Sequence, residues 1–141
     1  MVLGAAQRDV VVGGGIDVVR RRSGGGAVLL RPGEVVWVDF LVPRGDRLWE
    51  DDVGRSVWWV GEVWQAALAD LGVSGTVYRG ALKEGRWGGL VCFAGRGPGE
   101  VLVDLLGLTP TDEALRDLAA AAAPVEVDPD ELVGSLLSHL P

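Results

Sequence analysis

The sequence predicts a domain of the α+β class, because strand-like segments fill most of residues 1–105 and helical segments fill residues 106–141. Short apolar runs rich in β-branched residues, separated by glycine and proline turns, indicate the strands. One segment among them, 57–71, instead spaces its apolar residues as a helix does. The carboxyl-terminal part contains two segments that begin with helix-capping residues. We therefore expect a sheet with one long helix, followed by a helical pair that packs on it.

Composition bounds the size and the partners of the molecule. The chain has 141 residues, 48% apolar and 23% charged, which suits one globular domain with a real core. Its net charge of −7 argues against general binding to nucleic acids or anionic membranes. The single cysteine, Cys92, allows no internal disulfide and favours a reducing, cytoplasmic location. The sequence contains no signal-peptide pattern, no apolar run of membrane-spanning length and no predicted metal site.

The strongest strand pattern is the segment VVWVDFLV, residues 35–42. Its nearly continuous apolar character predicts burial on both faces, with Asp39 as the exception. A predicted turn at 31–34 precedes this strand, and Pro43 and Gly45 end it. The other segments with strand-like apolar character are 10–12, 16–19, 27–30, 73–78, 90–93 and 100–104.

The long helix is predicted over residues 57–71. Asp51 and Asp52 lie before or in its first turn, where the helix dipole favours negative charge, and Gly72 is a natural stop. The apolar residues at helical spacing are Val57, Val60, Gly61, Trp64, Ala67, Leu68 and Leu71.

The two tail helices are predicted from their caps. Segment 109–123 has a threonine N-cap, acids in its first turn and a stop at Pro124. The last helix has Asp128 as its cap and Pro129 at its first position. Its leucine stripe, which we expect to be a docking face, consists of Leu132, Leu136, Leu137 and Leu140. We expect His139 to be a surface or packing residue.

One stretch, VVRRRSGGGAVLL at residues 18–30, suggests chemistry. Arginines 20–22 stand beside Ser23 and the glycines 24–26. In an extended chain, Arg20 and Arg22 share one face and Arg21 takes the other. Glycines allow a ligand to approach backbone N–H groups, which together with a guanidinium suit a phosphate or carboxylate. A flexible hairpin loop with a solvated charge run is the alternative, and no Gly-Lys-Ser/Thr follows to make it a Walker A loop.

The order of these residues resembles a family signature. RRRSGGGAV resembles the Arg-Arg-x-Ser-Gly-Gly-Gly-Ala-Val signature of the lipoate–protein ligase A and octanoyltransferase family. Further segments resemble the family in the same order, over most of the chain but in pieces. They are MVLGAAQRD, EVVWVDFLVP, VWQAALADLGV and LVCFAGRGPGEVLVD.

The resemblance implies a fold and two related activities. The fold is that of biotin protein ligases and class II aminoacyl-tRNA synthetases, a mixed or antiparallel sheet with flanking helices. Residues 1–105 would be an incomplete catalytic domain and 106–141 a helical segment packed on it. A ligase would use ATP and Mg²⁺ to form lipoyl-adenylate, whereas an octanoyltransferase would need no cofactor and could take its acyl group from an acyl carrier protein. The acceptor would be a lysine of a lipoyl carrier domain, in a 2-oxoacid dehydrogenase complex or the glycine cleavage H protein.

The resemblance also implies roles for individual residues. Arg20 and Arg21 would meet the adenylate phosphate or the acyl carboxylate. The lining of the acyl site would be Ser23, Gly24, Gly25, Gly26, Ala27 and Val28. Cys92 would form an acyl-thioester, with Arg96 or a signature arginine close enough to activate the thiol. A buried cysteine that acts only as a small apolar side chain is the alternative.

Two departures separate the chain from the family pattern. The family's Gly-x-Lys-x-x-Gly motif is absent after GEVLVD, and the chain's one lysine, Lys83, precedes Cys92. Leu30 and Arg31 also stand where ligases have x-His-Asp. An internal segment therefore looks missing, which leaves open a non-catalytic relative that binds the acyl-adenylate or serves as an interaction domain.

Overall fold

A computed structural model describes residues 1–9, 15–33, 35–85, 88–90, 92, 95–103 and 127–141. They belong to two compact units, the first within 1–36 and 84–95 and the second within 37–83, 96–103 and 127–141. The elements are β1 (Val2–Leu3), β2 (Val19–Arg20), α1 (Val53–Ser56), α2 (Trp58–Asp70), β3 (Gly75–Val77), β4 (Lys83–Glu84), β5 (Gly95–Arg96), β6 (Val101–Val103) and α3 (Pro129–Ser138). The α+β class predicted from the sequence is confirmed.

The first unit is organised around β1. Strands β1 and β2 are parallel, with Val2 opposite Val19 and Leu3 opposite Arg20. An antiparallel bridge joins Val2 to Val28, with backbone hydrogen bonds of 2.8 Å in both directions. Leu3 and Val28 are buried, which anchors the bridge by removing apolar surface from water. Both ends of the arginine–glycine stretch are therefore fixed beside β1.

The second unit is organised around α2. This helix contacts α3 and the antiparallel pair of β3 and β6, in which Thr76 lies opposite Leu102. The buried apolar side chains come from the two helices and are Val63, Ala67, Leu132 and Leu136. Each fully buried leucine contributes roughly 1.5–3 kcal/mol to folding. The last helix therefore docks on α2 through part of its leucine stripe, whereas Leu137 and Leu140 are exposed.

A close approach explains a glycine within α2. A Cβ atom on Gly61 would lie 2.4 Å from the carbonyl oxygen of Gly99, and one on Gly99 would lie 2.5 Å from the carbonyl oxygen of Val57. Gly99 also has a φ of +83°, which favours glycine. The backbone of the helix and that of the loop containing Gly99 are thus in direct contact, which a larger residue at either position would prevent.

The helix caps agree with the sequence, with one division that it did not predict. Asp52 caps a separate short helix, α1, by accepting a hydrogen bond from Arg55 N at 2.9 Å. The predicted long helix follows as α2 and ends before Gly72, whose φ is +77°. Asp128 caps α3 by accepting from two backbone N–H groups at 2.9 and 3.0 Å, with Pro129 at the first position.

The predicted strand over 35–42 is wrong as a doubly buried strand. The described residues of this segment have no strand assignment. Val35, Trp37 and Val38 are exposed, and Leu41 is 93% exposed. An apolar sequence becomes a buried central strand only where neighbouring strands supply hydrogen-bond partners and other elements cover its faces. Within the part of the chain that the structure describes, no strand pairs with residues 35–42 and their side chains are not covered on both faces.

Other predictions have partial outcomes. The strands at 73–78 and 100–104 are confirmed in shorter form as β3 and β6. Leu90 and Cys92, from the predicted strand 90–93, lie in turns instead. The run 10–12, the helix 109–123 and the boundary at 105 lie outside the described residues. Among the residues that are described, no helix is long and apolar enough to cross a membrane.

Candidate functional site

Arg20 binds the amino-terminal segment of the first unit. Its guanidinium group points towards residues 4–9. The acceptors are the carbonyl oxygens of Gly4 (2.8 Å), Ala5 (3.2 Å) and Gln7 (2.7 Å), and Asp9 Oδ1 (2.5 Å). Arg20 therefore holds this segment in place, and its predicted contact with a substrate anion stays a prediction.

Arg21 points to the glycines, as expected for a neighbour of Arg20 in an extended strand. Its Nε and Nη2 atoms donate to the Gly24 carbonyl at 3.1 and 2.7 Å, and Nη2 also donates to the Gly26 carbonyl at 3.0 Å. In a trans peptide the N–H points opposite to the C=O. The bond to the Gly24 carbonyl therefore turns the N–H of Gly25 away from the guanidinium, so that Arg21 fixes the orientation of the loop.

The thiol of Cys92 lies beside the same arginine. Arg21 Nη2 is 3.2 Å from Cys92 Sγ, and the thiol donates to the Gly26 carbonyl at 3.3 Å. The backbone of Ala27 holds the cysteine segment, because Ala27 N donates to the Leu90 carbonyl at 2.8 Å and Cys92 N donates to the Ala27 carbonyl at 3.0 Å. The structure thus brings together an arginine and a cysteine that are 71 positions apart.

The sequence left open whether Arg96 or a signature arginine contacts the thiol. The structure shows that it is the signature arginine Arg21. Arg96 instead places its guanidinium carbon 4.8 Å from the ring centre of Tyr78. One nitrogen of Arg21, Nη1, is buried and has no acceptor within the described part of the chain. A buried donor without a partner is costly and uncommon in folded proteins.

The family comparison decides what this arrangement belongs to. The family model described as "Lipoyl protein ligase A/B catalytic domain" matches residues 6–92, which include the signature and Cys92. The chain belongs to this family. Neither a curated protein nor a solved structure shows a significant match to it.

The glycines of the signature differ in what they allow. A Cβ atom on Gly24 would meet nothing within 4 Å, whereas one on Gly25 would lie 2.8 Å from Arg21 Nη2 and 3.3 Å from Cys92 Sγ. Gly25 also has a φ of +89°. In the described structure, no protein group accepts a hydrogen bond from the N–H of Gly24, Gly25 or Gly26. Gly24 and Gly25 are exposed whereas Gly26 is buried, so the first two N–H groups are the candidate donors to a ligand.

The remaining residues predicted for the lipoyl ligase site surround this loop. Ser23 is exposed, and its carbonyl accepts a hydrogen bond from Ala5 N at 2.9 Å. Ala27 is half-buried and Val28 is buried under the loop. Their contact with an acyl group stays a prediction.

Two residues that support the loop were not predicted as site residues. A Cβ atom on Gly4 would lie 1.9 Å from the Gly25 carbonyl oxygen. Gln7 accepts from Gly4 N through Oε1 at 3.0 Å and donates from Nε2 to the Leu90 carbonyl at 2.9 Å. Gln7 therefore links the amino-terminal segment to the cysteine segment. Both residues lie in the MVLGAAQRD segment, whose resemblance to the family was the available signal.

The second unit contains Lys83, His139 and two carboxyl groups whose pKa values are shifted. Lys83 is exposed on β4. His139, the residue after α3, makes a polar contact with the last residue of α2, because its Nε2 lies 2.9 Å from Asp70 Oδ2. The Ser135 hydroxyl bond and then His139 lower the pKa of Asp70, whereas burial raises the pKa of Glu100. Across the described residues, no group of three or more histidine, cysteine or carboxylate side chains could hold a metal ion.

Proposed function

We propose that the chain transfers an octanoyl or lipoyl group, with Cys92 as the nucleophile that carries the group as a thioester. The contact between Cys92 Sγ and Arg21 Nη2 at 3.2 Å is the observation that carries this proposal. Nucleophilic cysteines in enzymes are typically found beside a cationic side chain or a general base. Because Arg21 is the family's signature arginine, the contact joins the cysteine to the site that the family model covers.

The proposed reaction consists of two acyl transfers. In the first, the thiol of Cys92 gives up its proton and its sulfur attacks the carbonyl of a thioester donor. The new C–S bond forms, and the donor sulfur leaves with the bonding pair and takes up a proton. In the second, a lysine amine of a carrier domain attacks, an amide forms, and the Cys92 thiolate leaves while the amine loses a proton to solvent. In this proposal the guanidinium group of Arg21 donates to the acyl oxygen as it gains negative charge.

The absence of the Gly-x-Lys-x-x-Gly motif favours this cysteine route over the ligase route through an adenylate. The cysteine route needs no ATP or Mg²⁺, since the donor thioester is already activated. The proposed donor is an octanoyl-acyl carrier protein. The proposed acceptor is a lipoyl carrier domain of a 2-oxoacid dehydrogenase complex or the glycine cleavage H protein.

Two further statements belong to the same proposal. The short sheets and helices would be an incomplete form of the fold shared by biotin protein ligases and class II synthetases, consistent with the absence of a family motif. A nucleophilic thiol must stay reduced to function, which suits the reducing cytoplasm.

Intact-protein mass spectrometry with octanoyl-acyl carrier protein tests the proposal. We expect the chain to gain one octanoyl group, sensitive to hydroxylamine as a thioester is, and to lose it when a lipoyl domain is added. Cys92→Ser should gain no such group, because the serine hydroxyl is almost entirely un-ionised near neutral pH and is a far poorer nucleophile than a thiolate. Arg21→Gln should slow this gain, because it removes the guanidinium beside Cys92 Sγ. Arg22→Gln is its matched control and should react as the wild type does, since Arg22 is exposed and adjacent in sequence.

A parallel reaction with ATP, Mg²⁺, lipoate and a lipoyl domain tests the ligase route. Modification of the lipoyl domain there, undiminished in Cys92→Ser, would show the ligase activity and contradict the cysteine route. A folded chain that binds a lipoyl-adenylate analogue but modifies nothing in either reaction would be the non-catalytic alternative.

A further inference from the structure

Segment 37–42 of the second unit combines exposed apolar side chains with unpaired backbone. No backbone N–H or C=O of these residues makes a hydrogen bond within the described structure. Trp37 is 45% exposed and Leu41 is 93% exposed. A row of unpaired backbone groups with apolar side chains is a template for pairing with another strand. This surface lies outside the acyl site and is independent of the proposed transfer reaction.

The side chains of residues 39–42 alternate between exposed and partly buried, as they do in a strand, whereas Trp37 and Val38 are both exposed. Phe40 packs its ring edge-on against Trp59 of α2, with ring centres 5.3 Å apart and planes at 79°. Leu41, the next residue, is almost fully exposed, and Val42 is half-buried again. Trp37 Nε1 donates to Asp39 Oδ1 at 3.2 Å, a contact between residues i and i+2 on one face. Residues 37, 39 and 41 therefore share the outer face.

We infer that this segment pairs with the same segment of a second copy of the chain, antiparallel and about a twofold axis through Phe40. A twofold axis perpendicular to the new sheet keeps the inner faces of both copies on one side. Directly opposed residues point to the same side of a sheet, so the axis must pass through a residue pair and not between two residues. Only axes at Asp39 or Phe40 pair more than three residues of 37–42 in each copy.

Charge selects between these two axes. An axis at Asp39 would place two carboxylates directly opposite each other, which is destabilising. An axis at Phe40 places each Asp39 opposite the partner's Leu41 and Val38 opposite the partner's Val42. Pro43, which has no N–H to donate, limits the ladder just beyond this segment. The sequence of the segment is thus self-complementary in one register.

The size and the charge of this interface set the strength expected. Segment 37–42 alone covers less than the roughly 800 Å² per partner of a standard interface, so the dimer should be weak. Each copy also brings a net charge of −7. Salt screens that repulsion, so dimerisation should strengthen as ionic strength rises.

Sedimentation velocity over a concentration series of the whole chain, with two charge variants of Leu41, tests the register. Leu41→Glu places a carboxylate opposite the partner's Asp39 at two symmetric positions, whereas Leu41→Lys places an ammonium group there. We expect the dimer dissociation constant of the Glu variant to exceed that of the Lys variant by about tenfold at low salt, with the difference shrinking as salt is added. Circular dichroism checks that both variants are folded. We expect that they are, because the side chain of Leu41 is almost fully exposed and contributes little to the stability of the fold.

Val53→Glu is the matched control, because Val53 is 83% exposed and lies outside the segment. It should leave dimerisation close to wild type. A chain that stays monomeric at every concentration would overturn the inference. An equal increase of the dimer dissociation constant in Leu41→Glu and Leu41→Lys would also overturn it, since that result indicates non-specific hydrophobic association without a defined register. So would a monomer that binds a basic peptide at this segment, with binding that weakens in salt.

Discussion

Replacing Gly4 with alanine perturbs the support of the signature loop without touching an arginine or the thiol. The new Cβ atom would lie 1.9 Å from the Gly25 carbonyl oxygen and 2.9 Å from its carbonyl carbon. Both contacts are with backbone, so no flexible side chain can move aside. Restoring an ordinary separation needs a shift of about 1 Å or more in the Gly25 peptide. That peptide lies between the two carbonyls bonded to Arg21, so the shift disturbs the contact with Cys92.

The expected cost is measurable in both stability and activity. Forcing an extra methyl group into a packed contact typically costs about 1–3 kcal/mol. In a domain of this size that lowers the melting temperature by about 3–12 °C. A displacement near 1 Å in an active site can cost about 100-fold in rate. We therefore expect Gly4→Ala to slow octanoyl-thioester formation at Cys92 by that order.

Differential scanning fluorimetry and time-resolved intact mass spectrometry measure the two effects. Gly89→Ala is the matched control, because a Cβ atom there meets nothing within 4 Å. It should behave as the wild type in both assays. A Gly4→Ala chain with unchanged melting temperature and unchanged thioester formation would refute the reasoning that this contact positions the loop.

Three further changes have defined outcomes. Arg21→Lys should lower the free energy of unfolding by about 1–2 kcal/mol in denaturant titrations, since one ammonium group cannot replace a guanidinium that binds two carbonyls. The loss is modest because part of the side chain is exposed to solvent. The pKa of Asp70 is lowered from 3.8 by Ser135 and then by His139, so its stabilisation is present above 3.8 and lost as pH falls through the folded value. The stability difference between wild type and Asp70→Asn should accordingly shrink in acid, and a difference constant with pH would contradict this. Asp128→Ala should cost about 0.5–2 kcal/mol through loss of the α3 cap, seen as a lower unfolding midpoint, while Asp130→Ala should cost less.

Local patterns predicted the elements whose causes are local. Asp128 with Pro129 marked the start of α3, and the glycine after α2 marked its end. Opposite directions for Arg20 and Arg21 followed from the two-residue period of an extended chain. The leucine stripe was only half right, because two of its members dock on α2 and two face solvent. Helical spacing defines a face, but the neighbouring element decides how much of it is covered.

The strand at 35–42 shows why a longer-range feature was not predictable. Its composition indicated burial on both faces, yet burial depends on what the rest of the chain places around it. Leu41 is instead exposed, and the backbone of 37–42 is unpaired within the described structure. A segment can have strong strand propensity and still lack a partner, because pairing is a property of two segments.

The sequence by itself determined the family signature, the α+β class and the Asp128 cap of α3, because each rests on residue order over a short span. Only the tertiary structure decided that Arg21 rather than Arg96 contacts Cys92, and that Gly4 must be small. These facts depend on contacts between residues far apart in the chain, with Arg21 and Cys92 separated by 71 positions and Gly4 opposed by Gly25. The number of residues between Arg21 and Cys92 does not predict how far apart their side chains are. The bridge between Val2 and Val28 and the backbone hydrogen bonds of Ala27 to Leu90 and Cys92 determine that distance.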